Sequence, residues 1–179
     1  MMVYFLRHAS AGQKRASAAG DEQRPLDEVG VSQSRHIGRL LAALEVEVDA
    51  IISSPLKRAT QTAELVANAM GFEKKIELDA GMRPEATFES FRRLLEKHQR
   101  AQAIMVVGHN PSISEFLSLL LTRGDDDGVV EFKKGSVTKI EVNGTRSAIL
   151  HWCVTPRIAR ALSEAPSSTP KAVRRQERS

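Results

Sequence analysis

Four side chains suited to phosphate chemistry follow three predicted strands of this 179-residue sequence. Arg7 and His8 come directly after an apolar run at the N-terminus, and His109 follows a second such run. Arg58 lies one turn into the helix that is predicted after another strand. The carboxyl ends of parallel strands meet at one edge of a sheet, where α/β proteins bind ligands. Because guanidinium groups bind phosphate oxygens bidentately and helix N-termini attract anions, these residues predict a phosphate site.

Alternating strand and helix patterns predict the framework that holds these residues. Residues 103–107 form a near-continuous apolar run, which is typical of a strand buried on both faces. A polar loop is predicted after the first strand through Pro25, and Asn143-Gly144 predicts a hairpin. The alternation predicts an α/β fold, a three-layer α/β/α sandwich whose central sheet is mostly parallel with an antiparallel edge strand. Strands are predicted over residues 2–6, 48–53, 74–78, 103–107, 135–142 and 147–154, and helices from the Asp27 N-cap to Leu44, over 56–70, after Thr87, from Asn110-Pro111-Ser112, and over 156–163.

The net positive charge is confined to the C-terminal segment. Residues 156–179 contain six Lys or Arg and two Glu, whereas the other 20 basic residues are balanced by 20 acidic ones. Residues 164–179 are basic, contain Pro and Ser, and have almost nothing to bury, so we predict a disordered tail after one domain over residues 1–163. The neutral body without an aromatic basic face predicts no specific nucleic-acid binding. Weak attraction of the tail to polyanions is the alternative.

Several other classes of site are disfavoured. Cys153 is the only cysteine, so the chain has no intrachain disulfide or multi-cysteine metal site, and its strand-like surroundings predict a buried small hydrophobe. The Walker, dinucleotide and His-Glu-x-x-His motifs are absent, and Asp125-Asp126-Asp127 predicts a solvated turn rather than a cation site. We therefore expect no metal and no cofactor. The N-terminal apolar run is too short to span a bilayer, and we expect a cytoplasmic protein without a membrane partner.

Three motifs, in this order, resemble the histidine phosphatase (phosphoglycerate mutase-like) superfamily. They are Arg7-His8-Ala9, the run Ser53-Ser54-Pro55-Leu56-Lys57-Arg58-Ala59-Thr60-Gln61-Thr62-Ala63, and Gly108-His109-Asn110-Pro111. The compact length and the segments 25–30 and 150–156 resemble the SixA-type phosphohistidine phosphatase branch. The resemblance covers about residues 1–163 and implies the phosphoglycerate mutase-like fold.

The resemblance also implies a role for each matching residue. His8 would be the nucleophile that takes the phosphoryl group, because a neutral imidazole nitrogen is a good nucleophile and its phosphoramidate is labile. Arg7, Arg58 and His109 would surround the phosphoryl oxygens and hold the charge of the transition state. We expect His109 to be cationic when phosphate is bound.

Three further positions near these motifs need interpretation. Ala9 stands where the family usually has glycine. The alanine side chain is expected to narrow the pocket, but the change removes no catalytic group. Glu85 is the candidate general acid, and the alternative is a surface residue near a helix start. Ser10 is a candidate hydrogen-bond donor to phosphate, alongside the backbone N–H groups of its loop. The remaining histidines are predicted to be surface or structural residues: His36, His98 and His151.

These features favour a metal-independent phosphatase with a covalent phosphohistidine intermediate on His8. We expect it to dephosphorylate phosphohistidine in a signalling or phosphotransfer protein, because no lid-sized insertion would keep a folded partner out. One alternative is a phosphomonoesterase of the same fold that acts on a small phosphorylated metabolite, and it would need a general acid, for which Glu85 is the candidate. The other is an inactive phosphoprotein-binding module, which the complete set of four candidate residues disfavours.

Overall fold

Six strands and six helices alternate along the part of the chain that the computed structural model describes, residues 1–14, 16–122, 130, 132–144 and 147–164. A short 3₁₀ turn over Ala80–Met82 precedes α4. The elements are β1 (Met2–Arg7), α1 (Ala18–Glu22), α2 (Glu28–Ala43), β2 (Ala50–Ser53), α3 (Lys57–Met70), β3 (Glu77–Leu78), α4 (Phe88–Lys97), β4 (Ala103–Gly108), α5 (Ser112–Thr122), β5 (Val137–Asn143), β6 (Ser147–Val154) and α6 (Pro156–Glu164).

The strands form one sheet in the order β3-β2-β4-β1-β5-β6. The first four strands along the chain are parallel, while β5 runs antiparallel both to β1 and to the edge strand β6. In the centre, Arg7 of β1 pairs with Gly108 of β4, and Ser53 of β2 pairs with Val107 of β4. The carboxyl ends of β1, β2 and β4 therefore lie side by side.

Helices cover both faces of the sheet, which confirms the predicted three-layer α/β/α fold. On one face, Phe5 of β1 packs against Phe91 of α4 with ring centroids 5.4 Å apart, and Phe91 stacks on Phe116 of α5 at 4.9 Å. On the other face, alternate β-strand residues such as Leu6 pack with Ile37 of α2 and with residues of α3 and α6. Apolar contacts on two faces explain why β1 and β4 are almost fully apolar in sequence.

Two elements differ from the sequence prediction. Helix α1 lies inside the segment predicted as a loop, where Ser17 caps it by accepting a hydrogen bond from the Gly20 N–H. None of its residues is buried, so its sequence has no apolar periodicity from which a helix could be predicted. Strand β3 is also shorter than predicted, because only Glu77 and Leu78 pair with β2.

The environment of Cys153 was predicted wrongly. Its side chain is exposed rather than buried. Trp152 and Val154 of the same strand pack partly against the core, so Cys153 points to the opposite face of the pleat. Because β6 is an edge strand, that face is open to solvent, and an apolar run of residues does not reveal edge position.

Two predictions fall outside the described residues, namely the Asp125-Asp126-Asp127 turn and residues 165–179 of the tail. The predicted hairpin is confirmed by the antiparallel pairing of β5 with β6, in which Asn143 pairs with Ser147. Within the described ranges, no helix is both long and apolar enough to cross a membrane.

Helix α2 approaches the segment after β1 so closely that only glycine fits at the contact. A Cβ atom added to Gly30 would lie 1.9 Å from the carbonyl oxygen of Ser10. That oxygen also accepts a hydrogen bond from the Asp27 N–H, at 3.2 Å. The backbone after the strand is therefore clamped directly onto the first turn of α2.

We expect Gly30→Ala to destabilise the protein, although alanine normally stabilises a helix relative to glycine by about 1 kcal/mol. The new methyl group must push two backbone segments apart, and overpacking of this kind costs about 1–3 kcal/mol. Urea unfolding followed by circular dichroism measures the change. Ser32→Ala, at an exposed position of the same helix, is the matched control and should change the free energy of unfolding by less than about 0.5 kcal/mol. A more stable Gly30→Ala variant would contradict the close approach.

Candidate active site

His8 lies immediately after β1 and is only 6% exposed. Its backbone N–H donates to the Gly108 carbonyl at 2.9 Å, which continues the pairing with β4 by one residue. Its Nδ1 lies 2.7 Å from the carbonyl oxygen of Ala9. Since a carbonyl only accepts hydrogen bonds, Nδ1 carries the proton and Nε2 carries the lone pair of the neutral ring.

The surroundings of His8 keep its imidazole neutral. Burial is the main cause that lowers its pKa, and the charges of Arg58, Arg7 and Lys134 lower it further, to about 3. The hydrogen bond to the Ala9 carbonyl acts in the opposite direction and only partly offsets these effects. At neutral pH the ring is therefore unprotonated at Nε2, as a nucleophile requires.

His109 lies at the end of β4 with its ring centroid 4.8 Å from that of His8. It is 1% exposed, and its Nε2 lies 2.8 Å from the hydroxyl of Ser54, which follows β2. Burial first, and then the neighbouring His8, Arg58 and Arg7, lower its pKa to about 2. The ring is neutral in the free protein, whereas the negative charge of a bound phosphate would offset these cations and favour the protonated form.

Arg58, on the first turn of α3, is buried with 5% exposure. Its Nη1 donates to the Asp21 carbonyl at 2.9 Å and lies 3.3 Å from the Asp21 carboxylate. The Arg58 carbonyl accepts from the Thr62 hydroxyl, and the same hydroxyl accepts from the Ala9 N–H at 3.1 Å. Thr62 thus ties the first turn of α3 to the residue after His8.

Arg7, the last residue of β1, is partly buried and donates from Nη1 to the Phe132 carbonyl. The Asn110 side chain donates to the same carbonyl at 3.2 Å. Burial lowers the pKa of Arg7, but a guanidinium group starts so high that it stays charged at neutral pH. The Phe132 carbonyl therefore fixes one end of this cation beside the strand terminus.

Three buried nitrogens at this site have no hydrogen-bond partner among the described residues. They are Arg7 Nε, Arg58 Nε and His109 Nδ1. A buried donor without a partner is costly, and two of these belong to full positive charges. A tetrahedral oxyanion beside His8 offers several acceptor oxygens at once. The arrangement is thus suited to a phosphate group.

The loop after His8 is fastened to α2 by Asp27. One carboxylate oxygen of Asp27 accepts from the Gly30 N–H and caps the helix, while the other accepts from the Ser10 hydroxyl and the Gly12 N–H, all at 2.7 Å. Burial alone would raise the pKa of Asp27, but these three hydrogen bonds and the charge of Lys134 lower it below its usual value. The Ser10 hydroxyl thus donates to Asp27 in this structure, and its role toward phosphate stays a prediction.

Glu85 is exposed and contacts Arg83. Its side chain is 67% exposed and its carboxylate lies 3.4 Å from Nη1 of Arg83. The same Arg83 nitrogen donates to Glu22 at 2.8 Å, and this hydrogen bond is the main cause of the lowered pKa of Glu22. The two carboxylates therefore share one cation. The role of Glu85 as a general acid remains a prediction.

The structure brings together Arg7, His8, Arg58 and His109, as expected from the strand ends. His36, His98 and His151 lie elsewhere in the fold, where they approach Glu164, Glu77 and Glu141 respectively. In the described ranges, no three His, Cys, Asp or Glu side chains are arranged to hold a metal ion.

Sequence reasoning missed three residues that position the site. Asp21 holds Arg58, Thr62 joins α3 to Ala9, and Asp27 binds the loop in addition to its predicted capping role. Only Thr62 had a usable signal, because it lies four residues after Arg58 and hence on the same side of the helix.

Comparison with known proteins places this geometry in a family context. The profile of the histidine phosphatase superfamily (branch 1) matches residues 3–89. An uncharacterized protein of Picosynechococcus sp. is 34% identical over 119 residues, which are 65% of this chain and 70% of that protein. The phosphohistidine phosphatase SixA of Escherichia coli K12 is 23% identical over 158 residues, or 87% of this chain and 94% of that protein. A structure of the protein histidine phosphatase SixA complexed with tungstate has a TM-score of 0.78 at 22% identity, covering 88% of this chain and 98% of the other.

We predict that His8 and His109 stay neutral in the free protein from about pH 8 down to about pH 5, where an ordinary histidine with a pKa near 6.5 would gain a proton. Their lowered pKa values, about 3 and about 2, place protonation well below that window. Histidine ¹⁵N shifts measured against pH, assigned with His8→Ala and His109→Ala, provide the test. Titration of either ring near pH 6.5 would contradict the burial argument. Saturating inorganic phosphate should move the His109 transition to higher pH.

Proposed function

We propose that this chain, which belongs to the histidine phosphatase superfamily, hydrolyses phosphorylated histidine in a protein through a covalent intermediate on His8. The observation that carries the proposal is the neutral His8 ring, with its Nε2 lone pair available, beside the partly buried Arg7 and the buried Arg58. Nucleophile and anion-binding groups thus occupy one place. No metal ion or cofactor is required by the proposed reaction.

The first step transfers the phosphoryl group to His8. The Nε2 lone pair attacks phosphorus, a new N–P bond forms, and the N–P bond of the substrate breaks. The substrate ring carries a proton on its other nitrogen, so it leaves with the electron pair as a neutral imidazole. Arg7, Arg58 and His109 hydrogen-bond to the phosphoryl oxygens, whose charge is greatest in the transition state.

The second step restores the enzyme with water. A water oxygen attacks phosphorus, the His8 N–P bond breaks, and inorganic phosphate forms while Nε2 recovers its lone pair. The Ala9 carbonyl holds the Nδ1 proton throughout, which keeps the ring orientation and favours attack by the same nitrogen in every cycle. Departure of His8 is the reverse of its attack, so the same cations serve both steps.

The carboxylates at the rim support a phosphoramidate as substrate. Glu22 and Glu85 both contact Arg83, and the hydrogen bond from Arg83 lowers the pKa of Glu22, which makes that carboxyl a poor proton donor at neutral pH. An alkoxide leaving group needs a proton during bond cleavage, whereas an imidazole is a much weaker base and leaves more readily. One relative whose name states this activity is the phosphohistidine phosphatase SixA of Escherichia coli, at 23% identity.

We expect His8→Ala to abolish turnover, with a loss on the order of 10³-fold or more, because the covalent route is removed. The assay is release of inorganic phosphate from a histidine phosphotransfer domain phosphorylated on histidine, in the presence of a chelator. Rapid quenching in alkali should trap an acid-labile phosphoenzyme in the wild-type protein but not in the variant. His151→Ala, at an exposed strand position, is the matched control and should retain full activity. Turnover that persists in His8→Ala, or wild-type turnover that is lost with chelator, would refute the mechanism. If the wild-type protein bound the phosphorylated domain without turnover, a phosphoprotein-binding module would be favoured instead.

The effect of Glu85→Gln should depend on the leaving group. Turnover of phosphohistidine should stay within about twofold, because an imidazole leaves with little help, whereas slow hydrolysis of an alkyl phosphate should fall about tenfold or more if Glu85 supplies the proton. Steady-state kinetics on both substrates separates the two cases. Efficient hydrolysis of small phosphate esters, with poor activity on the phosphorylated domain, would favour the small-molecule phosphomonoesterase instead.

A further inference from the structure

Asp21, a residue of α1, lies between Arg24 and Arg58. Its Oδ1 is 2.9 Å from Nε of Arg24, and its Oδ2 is 3.3 Å from Nη1 of Arg58. The side chains are largely shielded from solvent, with 14% exposure for Asp21, 11% for Arg24 and 6% for Arg58. Shielding makes each of these charge contacts stronger than a surface ion pair.

The same group is also tied to the backbone near His8. Arg24 Nη1 donates to the carbonyl oxygens of Ala11 and Gly12, at 2.8 and 3.0 Å. The carbonyl of Asp21 itself accepts from Arg58 Nη1 at 2.9 Å. Asp21 therefore has a fixed position relative to the loop that carries His8, and it holds Arg58 through both its main chain and its side chain.

Only one corner of the Arg58 guanidinium is used by Asp21. Both contacts involve Nη1, while Nε is buried without a hydrogen-bond partner among the described residues. A guanidinium binds an oxyanion best through two parallel N–H groups. Anchoring at Nη1 leaves the edge formed by Nε and Nη2 for such an anion.

We propose that Asp21 is a positioning residue, which holds Arg58 by Nη1 so that its remaining edge meets the phosphoryl group during transfer to His8. The inference rests on the proposed phosphatase function and adds to it a residue that acts through Arg58. Asp21 also places a negative charge next to the anion site, so it weakens the binding of phosphate while it improves the alignment of the transition state. Loss of the Asp21 charge should therefore slow turnover without weakening the binding of phosphate.

Asp21→Asn tests this division because it keeps the size of the side chain and removes its charge. With phosphoimidazole as substrate, we expect kcat to fall about 10- to 100-fold, since small displacements of a catalytic group have effects of that size. The dissociation constant of inorganic phosphate, measured by calorimetry, should stay the same or decrease. Asp21→Glu keeps the charge but moves it by one methylene, and it should also lower kcat. An unchanged or higher kcat in both variants would overturn the positioning role.

Two comparisons show whether the effect runs through Arg58. In an Arg58→Ala background, Asp21→Asn should change kcat by less than about twofold, because residues that act as a unit are not additive. Glu22→Gln makes the same charge change on the same helix at a residue that contacts Arg83, and it should leave kcat within about twofold of wild type. The proposal would be overturned if Asp21→Asn lowered kcat as much in the Arg58→Ala background as in the wild type. It would also be overturned if Glu22→Gln lowered kcat as much as Asp21→Asn. In the same assay, wild-type turnover that disappears in His8→Ala tests the proposed phosphatase function. Failure of that function can therefore be distinguished from failure of the positioning role of Asp21.

Discussion

The site depends on the electrostatic effect of two guanidinium groups on two buried imidazoles. Arg7 and Arg58 keep their charge in this environment because arginine is so strong a base, whereas His8 and His109 do not become charged because burial and the neighbouring cations disfavour a further proton. One electrostatic arrangement therefore has two consequences. It leaves the Nε2 lone pair of His8 unprotonated, and it leaves positive charge beside that ring, as the proposed mechanism requires.

Such a cluster of cations repels itself, and the fold balances that repulsion with acceptors at the periphery. The Phe132 carbonyl holds Arg7, Asp21 holds Arg58, and the Ala9 carbonyl holds the Nδ1 proton of His8. The acceptors contact Nη1 of each arginine and Nδ1 of His8, and leave the other nitrogens of these side chains for the proposed anion. The unpartnered Nε atoms of both arginines are what remains, and they are the donors that a phosphate would satisfy.

Precise placement of these groups comes from a few backbone contacts around the loop after β1. Gly30 allows α2 to touch the Ser10 carbonyl, and Asp27 uses both carboxylate oxygens to join helix and loop. Thr62 then connects Ala9 to the first turn of α3, the turn that carries Arg58. His8 and Arg58 are thus parts of one hydrogen-bonded unit, as the proposed phosphoryl transfer requires.

Much of this arrangement could be read from the sequence, and the physical reasons are local. The apolar runs at β1 and β4 mark strands buried on both faces, and polar residues directly after them mark the functional edge of a parallel sheet, so Arg7, His8 and His109 could be placed together before the structure. Asp27 and Thr87 were recognisable as helix caps because a cap depends on residues within three positions.

Contacts between segments far apart in the chain were decided only by the tertiary structure. Helix α1 has no apolar stripe, and the partner of Asp21 is 37 residues away, so no periodicity points to either. Cys153 looks like a core residue until the order of the strands places it at an open edge. By itself the sequence determined which residue types stand at the ends of buried strands, because periodicity records burial. The tertiary structure decided which carboxylate holds which guanidinium and how far each histidine is shielded from water, because both depend on the approach of distant segments.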